Sequence, residues 1–329
     1  MRRALNNFSQ FSIGFDKRDK AKVYKYWDDI FSTNQWCEGK YTQLFEEEWA
    51  NINQLEAVAF SSWSGAAMAC MQYFGLEGKK VLCPTNTFMA TPQIIVNGGA
   101  ELVFGDCNRD DLCLSYDTVI NAHKQQNIEA VWLVHIGGHI AFEIDKIANY
   151  CKRNNLILLE DCAHAHGASW NGKTPGSWGD AGVYSFYATK TISTGEGGML
   201  VSRHKALYDF ARKYRNYGKF DYDVRALNYR MSEFTAALGL VQTKRLPEIV
   251  EWKNNIAKEK LDSEYPEHLK LPEGMVSGYY KYIVFQEIEK STGKVYDQLC
   301  HKIMNRPGDY PNADWVVNNH WCVPLYYNP

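Results

Sequence analysis

Short apolar runs alternate with amphipathic stretches between residues 55 and 201, and this alternation constrains the fold more than any other feature. Each run is continuously apolar, which is typical of strands buried on both faces of a sheet. The runs are EAVAF at 56–60, KVLCP at 80–84, AELVFGD at 100–106, EAVWLVH at 129–135, LILLED at 156–161 and GVYSF at 182–186. Helical spacing fills the intervals, at 66–73, 91–96, 116–123 and 142–154. Repeated strand–helix units predict a mainly parallel sheet with helices on both faces, a three-layer α/β/α fold.

The last third of the chain has a different character. Residues 231–264 are compatible with a long helix that Pro247 interrupts, which predicts a kink or a break there. YYKYIVFQEIEK at 279–290 then predicts a strand of a second unit. We expect a large domain at residues 1–245, including the N-terminal segment, and a smaller α+β domain at 246–329.

Charge and composition exclude several classes of protein. With 36 Lys and Arg against 38 Asp and Glu, the chain has no basic excess of the kind that binds nucleic acid. No secretory apolar segment follows the two N-terminal arginines, and no run reaches the roughly 18 apolar residues of a membrane span. Nine cysteines without a C-x-x-C pair predict reduced, mostly buried thiols. We therefore expect a cytoplasmic protein with neither a nucleic acid nor a membrane as partner.

Ligands of parallel α/β sheets bind at the carboxyl ends of the strands, and three of the predicted ends are polar. The first end reads SSWSG at 61–65 and opens a predicted helix. Hydroxyl groups and free backbone N–H groups at a helix start suit a phosphate, although a simple helix cap has the same residues.

The second polar end is EDCAHAHG at 160–167. An acid such as Asp161 at the end of a buried strand needs a cationic or protonated partner, for example a bound heterocycle. Alternatively Cys162, His164 and His166, at i, i+2 and i+4, could hold zinc. No fourth ligand has suitable spacing, so we expect no metal site.

The third polar end carries Lys190, followed by the glycine-rich GEGG at 195–198. A lysine near the end of a buried run is a candidate for Schiff-base chemistry because burial favours its neutral, nucleophilic amine. The glycines would let the backbone approach a ligand. A solvated loop lysine is the alternative for Lys190 taken alone.

Together the three ends meet the requirements of pyridoxal 5'-phosphate (PLP). Lys190 would form an imine with its aldehyde, Asp161 would keep its ring nitrogen protonated, and the helix start near Ser64 would hold its phosphate. Lys190, once released, would move the substrate's α-proton.

Several ordered motifs resemble the DegT/DnrJ/EryC1/StrS sugar aminotransferases, which are PLP enzymes of fold type I. The resemblance runs along most of the chain. The motifs are WCEGKYTQLFEEEW at 36–49, PTNTFMATPQIIVNGGAELVFGD at 84–106, EDCAHAHGA at 160–168, SFYATK at 185–190, GEGG at 195–198 and NYRMS at 228–232.

The resemblance implies a role for each matched residue. Lys190 would form the internal aldimine and Asp161 would pair with the pyridinium nitrogen. His164 would lie near the ring hydroxyl, Phe88 would stack on the ring, and Ser185 would bind the phosphate.

Two further roles concern a neighbouring subunit and the substrate. Asn228 resembles an asparagine that reaches the phosphate of the neighbouring subunit, which implies a homodimer with shared sites. Arg230 would bind the carboxylate of the amino donor.

The sequence departs from the family pattern in two places. Where the family commonly has Ser-Gly-Thr, this chain has Ser62-Trp63-Ser64. We assign the phosphate hydroxyl to Ser64 rather than to a register that aligns Gly65, and the Trp63 indole must then point away or fill space beside the cofactor. The C-terminal domain is also shorter than the family pattern leads us to expect.

The resemblance implies transfer of an amino group, with L-glutamate as donor, to a keto group of a nucleotide-linked sugar through pyridoxamine phosphate. Such a reaction belongs to amino-sugar and polysaccharide biosynthesis. Two alternatives stay open: a PLP-dependent sugar dehydratase, although in those relatives histidine replaces the lysine, and a catalytically degenerate or regulatory relative.

Overall fold

The computed structural model describes residues 14–327, and a seven-stranded sheet forms its centre. The first 13 residues of the predicted large domain, including the two N-terminal arginines, lie outside the described part, as do residues 328–329. The strands of the whole described chain are β1 Glu56–Phe60, β2 Lys80–Pro84, β3 Glu101–Gly105, β4 Ala130–Val134, β5 Ile157–Asp161, β6 Ser169–Trp170, β7 Ala181–Ser185, β8 Gly198–Ser202, β9 Met275–Val276, β10 Tyr282–Val284 and β11 Trp321–Val323.

The strand order in the central sheet is β1-β8-β7-β5-β4-β2-β3. All neighbours from β7 to β3 are parallel, whereas β8 runs antiparallel to both β7 and β1. The six apolar runs predicted as strands are all strands of this sheet, so the mainly parallel α/β fold is confirmed. β8 carries the run GMLVS, which was not among the predicted strands.

Helices cover both faces of the sheet. Their bounds are α1 Lys17–Thr33, α2 Lys40–Asn53, α3 Trp63–Tyr73, α4 Ala90–Asn97, α5 Tyr116–Gln126, α6 Ile144–Arg153, α7 Lys205–Tyr214, α8 Glu233–Ile256, α9 Asp262–Glu264, α10 Cys300–Ile303 and α11 Pro311–Asn319. Val81 and Cys83 of β2 pack into an apolar cluster with α3, α4 and α7, while Leu82 between them packs into the opposite cluster with α5 and α6. This alternation is what a strand between two helical layers requires.

Pro247 lies inside α8, so the predicted break at this proline is wrong. Leu246, Ile249 and Val250 are buried on either side of it, and this packing offsets the hydrogen bond that proline cannot make. A π-helical stretch at Ala257–Leu261 then joins α8 to α9. The predicted domain boundary after residue 245 falls within α8, and the division into two domains stays a prediction.

The C-terminal part of the chain packs onto the sheet through its own small strands. β10 pairs with β11, and β9 pairs with β6 from the earlier part of the chain. Ile283 and Cys322 join the cluster beneath α5 and α6, so residues after 280 are brought to the same edge of the molecule as the ends of β4 and β5. The predicted strand at 279–290 is correct in kind but spans only the residues of β10.

The thiols agree with the expectation of reduced, mostly buried cysteines. All nine cysteines are free, and eight of them are buried, with Cys37 the exposed one. Within residues 14–327, none of the helices combines the length and the apolar character that crossing a bilayer would take.

Glu160 fixes the end of β5 in place. Its carboxylate accepts hydrogen bonds from the backbone N–H groups of Gly176, Trp178 and Gly179, at 2.6 to 2.9 Å. The imidazole Nε2 of His135 lies 2.8 Å from the same carboxylate. A buried carboxylate with this many donors is satisfied, and it holds the loop that follows β6 against β5.

Candidate active site

A cavity of about 720 Å³ lies beyond the carboxyl ends of β4, β5 and β7, within the size range of small-molecule and cofactor sites. Seven of the nine residues predicted for the site line it: Trp63, Ser64, Phe88, Asp161, His164, Ser185 and Lys190. The three polar strand ends of the sequence therefore meet in one place.

The Asp161 carboxylate is buried at the end of β5 and is surrounded by donors. Oδ1 accepts from the backbone N–H of Ala163 at 3.0 Å and from the indole Nε1 of Trp63 at 3.1 Å. Oδ2 accepts from the hydroxyl of Thr91 at 2.9 Å. Burial raises the pKa of Asp161, while these backbone and hydroxyl donors and the positive charge of Lys190 act in the opposite direction. Oδ2 keeps a lone pair for one more donor, as a pyridinium nitrogen requires.

The Trp63 indole points at the acid. Its Nε1 lies 3.1 Å from Asp161 Oδ1 and 3.2 Å from the carbonyl oxygen of Val183 in β7, and its ring packs against Trp132 at 5.7 Å between centroids. We expected the indole either to point away or to fill space beside the cofactor. In the structure it lies beside the cavity. A larger residue than the family commonly uses thus supplies the acid with a donor.

Lys190 faces the cavity with a free amine. Its Nζ lies 4.9 Å from the ring centroid of Tyr280, and among residues 14–327 it forms no ion pair. Burial lowers the pKa of Lys190 to about 8, the charge of Asp161 raises it, and the charge of Lys281 lowers it. A substantial fraction of neutral, nucleophilic amine is therefore present just above neutral pH.

Hydroxyl groups and a helix start lie together at one end of the cavity. The Ser62 hydroxyl caps α3 by accepting from the backbone N–H of Gly65, and Ser64 in the first turn is exposed to the cavity. The Gly65 N–H is thus already used, which supports the register that assigns the phosphate hydroxyl to Ser64. Ser185 Oγ accepts from the backbone N–H of Tyr187 at 3.3 Å, so its own O–H is left to donate.

Gly198 lets two backbone segments approach each other closely. A Cβ at this position would lie 2.3 Å from the carbonyl oxygen of Ser62, so the glycine lets β8 approach the turn before α3. The approach of a ligand to the glycines after Lys190 stays a prediction.

Aromatic rings form the walls of the cavity. Phe88 is 65% exposed, and its ring is available for stacking on a flat ligand. His164 stacks on Tyr280, with centroids 4.1 Å apart, and its Nε2 lies 3.4 Å from the hydroxyl of Tyr296. Burial and the charge of Lys190 hold the pKa of His164 well below its ordinary value, so the imidazole is neutral.

Asn228 and Arg230 lie outside the cavity of their own chain. Arg230 donates from Nη1 to the Asn216 side chain and lies 5.6 Å above the ring of Tyr217, and the Asn228 side chain accepts from the backbone N–H of Arg230. Their assignment to a neighbouring subunit's site and to the donor carboxylate stays a prediction.

The zinc alternative fails on geometry. The strand ends at Asp161, so Cys162, His164 and His166 do not share one face of a strand. Burial raises the pKa of the Cys162 thiol well above its ordinary value, against the thiolate that zinc prefers. The one clustered set of possible ligands within residues 14–327 is His135, Glu160 and Cys162, and there Glu160 is already satisfied by backbone donors.

Several residues at the site were not predicted from the sequence. Thr91 lies at the start of α4, where hydroxyl residues are common in any helix. Only the fold shows that its hydroxyl donates to Asp161. Tyr280 and Tyr296 reach the cavity from the C-terminal part, about a hundred residues from Lys190. The aromatic run at 279–282 was the available signal for Tyr280, and no motif pointed to Tyr296.

The residues present fit PLP. Asp161 offers a free lone pair to a ring nitrogen, Phe88 offers a ring face, and Lys190 offers a free amine. Ser64 offers a hydroxyl at the start of α3, and Ser185 offers one at the end of β7. These groups line one cavity, which is large enough for the cofactor together with a substrate.

Comparison with known proteins finds aminotransferases that are similar to this chain. Residues 17–262 match the model of the DegT/DnrJ/EryC1/StrS aminotransferase family. The chain is 35% identical over 243 residues to GDP-perosamine synthase of Vibrio cholerae, an alignment that covers 71% of this chain and 65% of that protein. It is 31% identical to the dTDP-4-dehydro-2,3,6-trideoxy-D-glucose 4-aminotransferase of Saccharopolyspora spinosa, covering 91% of this chain and 82% of that protein.

A solved structure has the same fold over nearly the whole chain. The aminotransferase TlmJ from Streptoalloteichus hindustanus superposes with a TM-score of 0.88 at 26% identity, covering 97% of this chain and 93% of that one. The fold-type-I architecture expected from the motifs is therefore confirmed.

We predict that Lys190 reacts with amine reagents at a lower pH than ordinary lysines. Acylating reagents attack the neutral amine, so its modification should be half-maximal near pH 8, compared with about 10.4 for an ordinary lysine. Peptide mass spectrometry of the cofactor-free protein measures this, with the exposed Lys270 as internal control. Asp161→Asn removes an anion that favours the charged form, so the midpoint should move lower. Equal midpoints for Lys190 and Lys270 would contradict the assignment.

We predict that Trp63→Phe lowers the free energy of unfolding by about 1–2 kcal/mol, because Asp161 loses a donor to its charged oxygen while the aromatic packing is largely kept. Urea denaturation measures the change. The control is Trp36→Phe at an exposed site, where we expect less than about 0.5 kcal/mol. An equal loss in both variants would show that the indole hydrogen bond contributes nothing.

Proposed function

The chain belongs to the DegT/DnrJ/EryC1/StrS aminotransferase family, and from this premise we propose that it moves an amino group from L-glutamate to a keto group of a nucleotide-linked sugar. The two relatives described above act, by their names, on GDP- and dTDP-linked sugars, which supports this class of acceptor. The observation that carries the proposal is the meeting of Lys190, Asp161 and the start of α3 in one cavity.

The residues of the cavity have separate roles in the proposed amino transfer. When bound, PLP supplies an aldehyde for the substrate's amine and an electron sink when the α-proton leaves. Asp161 would accept a hydrogen bond from a protonated ring nitrogen, and its donors Trp63 and Thr91 keep the carboxylate in position. Lys190 Nζ, whose pKa burial lowers to about 8, would take the proton from the donor's α-carbon and hold it for return to carbon.

A homodimer with shared sites is part of the proposal. Tyr217, Phe220, Tyr222 and Leu227 are exposed large apolar residues within one short segment, and Phe220 is 88% exposed. Such a concentration of apolar surface is typical of a protein interface. The segment leads directly to Asn228 and Arg230, which lie outside their own cavity, so an interface here would carry both toward a partner's site with two-fold symmetry.

The dehydratase alternative is disfavoured by the residue at position 190. A lysine there can form an imine with the cofactor's aldehyde and, once released, move the substrate's proton, whereas histidine cannot form that imine. Trp63 no longer supports a degenerate site either, because its indole donates to Asp161 instead of displacing it.

We predict amino transfer from glutamate labelled with heavy nitrogen to at least one keto sugar in a panel linked to GDP, dTDP or UDP. Mass spectrometry of the sugar product detects the label. Lys190→Ala should reduce the rate at least about a thousandfold, because it removes the proton carrier and the imine partner. The matched control is Lys270→Ala, an exposed lysine for which we expect the wild-type rate.

Two results would contradict the proposed function. Release of free ammonia with loss of a sugar hydroxyl would identify a dehydratase. Full turnover by Lys190→Ala would exclude the mechanism.

A further inference from the structure

A second, smaller pocket of about 200 Å³ adjoins the cavity at Lys190. We call it the lysine pocket, because Lys253, Lys281 and Lys294 line it together with Lys190. Thr189, Lys190, Tyr280 and Val295 line both the lysine pocket and the larger cavity. A molecule that reacts at Lys190 can therefore extend one end into the lysine pocket.

The lysine pocket is positively charged, and the negative charges that act on its lysines, Asp161 on Lys190 and Glu287 on Lys294, lie outside its lining. Its lining contains no carboxylate, and within residues 14–327 none of its lysines forms an ion pair. Lys253 Nζ donates to the carbonyl oxygen of Tyr279 at 2.8 Å, and Lys294 Nζ donates to that of Asn318 at 3.1 Å. Each ammonium group has three donors, so donors remain for a ligand.

Burial makes this arrangement costly without an anion. Lys253 is only 6% exposed, and burial together with the charge of Lys281 lowers its pKa to about 7. Charges of one sign that line a buried pocket repel each other, and a bound anion would relieve that repulsion.

Thr191 lines the lysine pocket but does not present its hydroxyl to it. The residue is 7% exposed, and its Oγ1 is enclosed by protein and has no hydrogen-bond partner among residues 14–327. The donors that an oxyanion in the pocket would reach are therefore the ammonium groups.

We propose that the lysine pocket binds the side-chain carboxylate of a dicarboxylic amino donor. The inference rests on the proposed aminotransferase function. About 200 Å³ is below the roughly 300 Å³ at which sites for drug-sized ligands begin, so the pocket takes a short carboxylate chain and excludes a whole nucleoside diphosphate. The side-chain carboxylate of glutamate is also only a few bonds from the carbon that reacts at Lys190, as the position of the pocket requires.

The test is binding of succinate, a dicarboxylate without an amino group, to the PLP-loaded protein by calorimetry. Lys281→Gln and Lys294→Gln should each raise its Kd at least about tenfold, because each removes a charge-assisted hydrogen bond. Lys281→Arg should bind succinate within about threefold of wild type, because it keeps the charge. Lys270→Gln is the matched control, and the Kd of GDP, dTDP and UDP should change less than about twofold in every variant.

The outcomes separate this proposal from the proposed function. Unchanged succinate binding in both Gln variants, or weaker nucleoside diphosphate binding in its place, overturns the assignment of the lysine pocket even if the wild type aminates a sugar. Loss of succinate binding in both Gln variants, with rescue by Lys281→Arg, supports the pocket even if no sugar in the panel is aminated, because binding needs no turnover.

Discussion

The site depends on one buried carboxylate and on the groups that satisfy it. An ionised Asp161 at the end of β5 would be costly in an apolar interior, and three donors from three elements offset that cost. Trp63 comes from the start of α3, Thr91 from α4, and Ala163 from the turn after β5. The same hydrogen bonds that stabilise the acid therefore hold the start of α3 in fixed relation to the sheet.

Trp63 distinguishes this site from the family pattern. In the family pattern the position is commonly small, and an indole there looked like an obstacle to the cofactor. The side chain instead packs at a tilt against Trp132, and its one N–H lies within hydrogen-bonding distance of both Asp161 and the Val183 carbonyl. In the sequence, Trp63 suggested a degenerate site. In the structure, its indole donates a hydrogen bond to Asp161.

Local pattern was enough to predict the central sheet, because strands buried on both faces carry continuous apolar runs such as 130–134. It was not enough for β8, whose short run GMLVS follows a glycine-rich stretch that reads as a loop. At Pro247 the local pattern predicted a break that the structure does not have, because the packing of α8 outweighs the local effect of the proline. The meeting of Lys190 and Asp161 was predictable from chemistry at strand ends. The presence of Tyr280 and Lys281 beside Lys190 was not, because it arises from contacts between distant parts of the chain.

The central claim is that Lys190, and no other lysine near the cavity, carries the cofactor. Its direct test is to load the protein with PLP, reduce it with borohydride and map the phosphopyridoxyl group by peptide mass spectrometry. Lys253 and Lys281 lie close enough to serve as internal competitors. The account predicts a single modified lysine, Lys190. A label on Lys253 or Lys281, or no label at all, would contradict it.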